Sequence, residues 1–211
     1  MDELQSQELL KQVRTAHRLV VAYYKRLHIV LKDIGLHSDL GLEFFQWGPT
    51  EYLRPCQRRS DVFKSWTWDL APGISTEYLF QKKQSKDGLI HGDWLLALHV
   101  VSDTAVTNEN LKGNIDPLKL PDVSDSQSVV RLYLIAPNQN LPNMGFDGLW
   151  QKAKKDITMS DEVIGQLLNI DKGIYGAGFE IGLEHLLTDT AVEDVVKRIK
   201  EHMGAIIPRM G

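Results

Sequence analysis

The clearest signal in the chain is a run of apolar positions at its start. Leu9, Val13, Ala16, Val20, Tyr23, Leu27, Val30 and Ile34 recur at spacings of four and three without a break. Leu10, Tyr24 and Leu31 widen the run into a three-in-seven stripe, the pattern of a helix lying on a core. The spacing predicts one helix over residues 9–34 with Val20, Tyr23 and Leu27 buried, closed by Gly35 as a left-handed C′ residue and Leu36 as its apolar contact. At 1.5 Å per residue this helix measures about 39 Å, while a compact domain of this length has a radius of gyration of about 17 Å. It must therefore cross the body or protrude from it.

Period-two patterns follow. Residues 42–47 read as a short strand closed by Gly48 and Pro49. Residues 75–83 and 92–101 read as a hairpin with a long loop around Asp87 and Gly88. Both faces of the second strand are apolar, which marks a central strand covered on both sides. Residues 103–127 carry Asp103, Glu109, Asp116, Asp122 and Asp125 between prolines and read as an acidic surface loop. Residues 128–136 form another strand, and a short helix is expected near residues 149–155. Ser160 is placed to cap a helix holding Val163, Ile164, Leu167 and Leu168. Residues 175–187 then alternate as a strand with Phe179, Ile181 and Leu183 inward, and Gly176, Gly178, Glu180 and Glu184 on the other face. Thr190 and Glu193 open a final helix. The order predicts an α+β fold: a largely antiparallel sheet of about five strands with the long N-terminal helix and a C-terminal helix packed on it. Nothing splits the 211 residues, so a single domain is expected.

Composition narrows the function classes. A net charge of −4 gives no general attraction to nucleic acid, so such a partner is possible but unsupported, and the basic helix face of Lys11, Arg14, Arg18, Lys25 and Lys32 reads as solvated. No apolar run approaches the length of a membrane span, and the acidic start is unlike a signal peptide. The single cysteine, Cys56, permits no intrachain disulfide, and a cytoplasmic protein is expected.

Two constellations compete. Trp47, Arg54, Arg58, Arg59, Trp66, Trp68 and Asp69 concentrate aromatic and basic side chains in an irregular stretch. Trp and Arg dominate binding hot spots, so this stretch suggests a non-enzymatic module that binds another macromolecule, most simply another protein, in an accessory or regulatory role. Tryptophans pinning a loop to the core are the structural alternative. The carboxylates Asp69, Glu77 and Asp93 flank the central strands, and together they would suit Mg²⁺ and phosphodiester hydrolysis. The element order is loosely similar to the restriction-endonuclease-like fold. That family's acidic-x-Lys tripeptide is missing, since Leu79 follows Glu77 and Leu95 follows Asp93 at the lysine position. Gly176, Gly178 and Gly182 do not make a dinucleotide turn, because they lie inside an alternating strand.

Overall fold

The structure, a computed structural model, describes residues 2–50, 72–106, 119–154, 157, 168–171, 173–188 and 190–206. Helix α1 (Glu3–Gly35) is followed by strands β1 (Glu43–Pro49), β2 (Ser75–Lys82), β3 (Trp94–Val101) and β4 (Val129–Pro137). Helix α2 (Phe146–Ala153), strands β5 (Leu168–Asp171) and β6 (Ile174–Gly182), a short helix α3 (Leu183–Leu186) and helix α4 (Ala191–Ile206) complete the order. The six strands form one sheet in the order β1-β2-β3-β4-β6-β5, every pair antiparallel. The fold is α+β, as the element order predicts.

Alternation across the strands divides the core into two layers. Phe80, Leu96, Leu98, Val100, Val130, Leu132, Leu134 and Phe179 face one way, where the end of α1 and the apolar stripe of α4 cover them. Leu79, Leu95, Ala97, Tyr133 and Ile135 face the other way, beneath Phe146, Leu149 and Trp150 of α2. Strand β3 is sandwiched between both layers, which is why its two faces are apolar.

Helix α1 starts earlier than its apolar stripe. Asp2 accepts the backbone N–H of Gln5, and the Gln5 side chain accepts the N–H of Asp2, a reciprocal cap. Burial corrects the sequence reading more deeply. Leu27, Val30, Leu31 and Ile34 are buried, Tyr23 is only partly so, and Val20 is 50% exposed. Each of the four buried side chains contributes roughly 1.5–3 kcal/mol. The stripe is continuous, but the body is short and covers only its last three turns.

Three further expectations are corrected. Gly35 is the last helical residue and not a left-handed cap; its reason is the Phe80 ring, which fills the space that a Cβ there would need. Leu168, expected in a helix, opens the edge strand β5. The last strand stops at Gly182, and Leu183–Leu186 turns into α3. The register of β6 stands: Phe179 and Leu183 are buried, Ile181 packs on the same core, and Glu184 is exposed. Gly176 and Gly178 are buried as well, so no open strip runs along that strand.

Candidate functional site

Strand β1 is an edge strand: among the described residues it pairs only with β2. A bulge between Phe44 and Gln46 resets its alternation. Phe45 consequently turns toward Phe146 in the α2 layer, while Phe44 and Trp47 both turn toward α1. Between that edge and α1 lies a groove of about 410 Å³ lined by His28, Leu31, Lys32, Leu36, Phe44, Trp47, Tyr78 and Phe80. A second hollow of about 390 Å³ extends it past Tyr24, Pro49, Gly73 and Thr76, sharing His28, Trp47 and Tyr78 with the first. Trp47 is 66% exposed, and Phe44 and Leu36 are each more than two-fifths exposed. Three large apolar side chains thus border one hollow and stay wet, against the tendency of such groups to bury.

Polar groups in the groove are few and fixed. The Tyr78 hydroxyl lies 2.9 Å from Nε2 of His28, and the two rings meet edge to face at 5.6 Å. Burial, reinforced by the neighbouring Tyr24 and Tyr23, pushes the Tyr78 hydroxyl up to about 12. It therefore stays protonated and available to donate. Lys32 stands at the rim of the groove.

A second cluster lies on the opposite face, alongside α2. Glu77, His99, Arg131 and Glu180 pair in sequence across β2, β3, β4 and β6, one polar row over four strands. Arg131 Nε donates to Glu180 at 2.8 Å, and Trp150 Nε1 donates to Glu77 at 2.9 Å. Burial lifts the Glu77 carboxyl above its ordinary value, against the indole bond and the Lys154 charge. Burial, then the charges of Arg131 and Lys154, pushes the His99 imidazole down to about 4. Its neutral Nε2 lies 2.9 Å from the Ser75 hydroxyl and 3.1 Å from that of Thr50. This resembles a nucleophile and its base, but Ser75 is 1% exposed. Its hydroxyl is sealed from a substrate and instead ties Thr50, β2 and β3 together.

Of the residues proposed from sequence, Trp47 is at the groove. Arg54, Arg58, Arg59, Trp66, Trp68 and Asp69 lie outside the described residues, as does Cys56. The structure does not bring Glu77 and Asp93 together. Glu77 pairs with His99, six residues along from Asp93, a separation of about 20 Å at the strand repeat. Asp93 is fully buried and accepts the backbone N–H groups of Gln84 at 2.7 Å and Ile90 at 2.9 Å, so it buckles the β2–β3 connection. Among the described residues no group of three His, Cys, Asp or Glu is placed to hold a metal ion. Sequence reading missed His28, Tyr78, Phe44 and Leu36. The available signal was Phe44 two residues before Gln46 and three before Trp47, an aromatic pair that simple alternation would set on opposite faces.

Comparison with known proteins adds a family and no activity. Residues 3–205, nearly the whole chain, match the family model described as PM0109. No curated protein matches the chain, and no solved structure does.

Proposed function

The chain belongs to the PM0109 family, and we propose that it is a non-enzymatic protein-binding module whose docking site is the groove between α1 and the β1 edge. The observation that carries this reading is Trp47, two-thirds exposed at the mouth of an almost wholly apolar hollow. Exposed tryptophan beside a preformed concavity is the composition of an interaction hot spot. Among the described residues β1 pairs on one side only, so its other side offers backbone donors and acceptors with which an extended segment can pair while it drops side chains into the hollow. Lys32 at the rim favours a carboxylate next to the apolar anchor. The partner is thus a protein segment with an apolar or aromatic residue flanked by acid. A cytoplasmic setting belongs to the same reading, because one cysteine allows no intrachain disulfide.

Selection of a displayed peptide library on the intact protein tests this. Enriched peptides should carry an apolar anchor beside Asp or Glu, and Trp47→Ala should weaken them at least tenfold without altering the melting curve. Peptides that bind Trp47→Ala as well as the parent would place the recognition surface elsewhere.

A further inference from the structure

The groove between α1 and β1 has two compartments, and their linings differ in kind. The first, of about 410 Å³, is walled by Leu31, Leu36, Phe44 and Phe80, with Lys32 at its rim. The second, of about 390 Å³, is walled by Tyr24 and His28 of α1, Tyr78 of β2, and Trp47 and Pro49 of β1. Among the described residues no Leu, Ile, Val, Met or Phe lines it, and neither a carboxylate nor a Lys or Arg does. Aliphatic and phenyl walls thus give way to electron-rich rings within one continuous groove.

The rings are held in place before any ligand arrives. His28 follows Tyr24 by one helical turn, and their ring centroids lie 6.0 Å apart with planes at 37°. The His28 ring meets that of Tyr78 at 5.6 Å and 68°. These three rings turn a corner between helix and sheet, and Trp47 stands across the groove on β1. The Tyr24 hydroxyl occupies the space that a side chain at position 73 would need, so Gly73 lets that ring reach its place. The polar atoms are mostly committed. The Tyr78 hydroxyl and His28 Nε2 lie 2.9 Å apart, and the Thr76 hydroxyl donates to the Gly73 carbonyl.

Such a lining selects both by charge and by hydrogen bonding. The faces of Trp and Tyr are the negative side of their quadrupoles and attract cations. A lysine ammonium or an arginine guanidinium brings N–H donors that would find few acceptors here. A trimethylammonium group carries the charge, has no N–H, and presents methyl groups to the rings. Lys32 does not oppose it, because Lys32 lines the first hollow and not the second.

Resting on the reading of the groove as a docking site for a protein segment, we propose that the second hollow receives the trimethylammonium group of a methylated lysine in that segment. The apolar anchor fills the first hollow and the acid faces Lys32, so the segment runs from anionic to cationic along the groove. Side chains on one face of an extended segment recur at every second residue. The methylated lysine therefore stands an even number of residues from the anchor.

Choline and its neutral carbon isostere, in which a tert-butyl group replaces trimethylammonium, share one shape and differ in charge. Each is titrated into the full chain while NMR follows the Trp47 indole N–H. Choline should shift that signal, and the isostere should bind weaker by about fivefold or more. Tyr24→Leu keeps the hollow apolar and should abolish this preference. Peptides anchored in the first hollow should bind that variant as before, since Tyr24 lines the second alone. A displayed-library peptide remade with trimethyllysine at an even position should bind about tenfold tighter than its lysine form. Equal responses to choline and the isostere, or equal affinities of the two peptides, overturn the proposal. Flotation of the chain with phosphatidylcholine vesicles would assign the hollow to a lipid headgroup and also overturn it. If no displayed peptide depends on Trp47 while choline keeps its advantage, the docking reading falls, and with it the lysine as the source. The preference of the hollow for trimethylammonium would then stand alone.

Discussion

The Phe80 ring occupies the space that a side chain at position 35 would need, so α1 and β2 approach closely where the helix ends. Phe80 itself pairs with Phe44 edge to face at 5.6 Å and forms the floor of the groove. The glycine at 35 therefore sets how near α1 lies to the sheet, and thereby how wide the groove opens. Gly35→Ala should destabilise the fold by about 1–3 kcal/mol through overpacking, despite the better helix propensity of alanine. Urea denaturation measures it, and a midpoint equal to or above the parent's would contradict the close approach.

The two halves of α1 should respond oppositely to substitution. Leu27→Ala removes a fully buried side chain and should cost about 2–5 kcal/mol. Val20→Asp changes a half-exposed position and should stay within about 0.5 kcal/mol. Equal losses at both positions would mean that the stripe is seated along its whole length.

His99 should make stability depend on pH. Its folded pKa of about 4 lies below the ordinary value of 6.5, so the folded state favours the neutral ring. Between these values the unfolded chain binds a proton that the folded chain refuses. Stability from this group is therefore full above pH 6.5 and is lost as pH falls toward 4, levelling off below. The loss is on the order of 2–3 kcal/mol at most. His99→Gln should flatten this part of the stability–pH curve; a curve with the parent's slope would show that another group carries it.

The indole bond to Glu77 offers a third contrast. Trp150→Phe keeps the aromatic contact with Tyr133, whose ring centroid lies 5.2 Å away, but leaves a half-buried carboxylate without its donor. A loss of about 1–3 kcal/mol is expected above the Glu77 pKa. It should shrink in acid, where the carboxyl is protonated and no longer needs the bond. A loss independent of pH would assign the whole effect to packing.

How much of this was legible in the sequence follows from what periodicity records. The stripe in α1 specifies which side of a helix is apolar, and so its phase was readable from Leu9 to Ile34. It does not specify whether anything lies against that side, and Val20 was misassigned for that reason. Strands β2, β3, β4 and β6 were readable because apolar alternation and turn residues agree there. Gly35 was misread because a helix-terminal glycine has a common local explanation, whereas its role depends on Phe80, 45 residues away. Leu168 was misread because a short apolar run suits a helix or a strand equally. The groove gathers residues from α1, β1 and β2, and only Trp47 announced itself. The row from Glu77 to Glu180 was hidden in the register of four strands, although His99 within LLALHVV and Arg131 within VVRLYLIA are lone polar residues in apolar strands. Such residues mark where a polar row interrupts the apolar face under α2.

The most direct test of the docking site is amide and indole NMR with a selected acidic-apolar peptide added to the full chain. The account predicts that the Trp47 indole N–H and the amides of Phe44, Gly48 and Leu36 shift together, and that amides along β1 gain protection from hydrogen exchange as the peptide pairs with the edge. Shifts confined to the row of Glu77, His99, Arg131 and Glu180, with Trp47 unmoved, would contradict it.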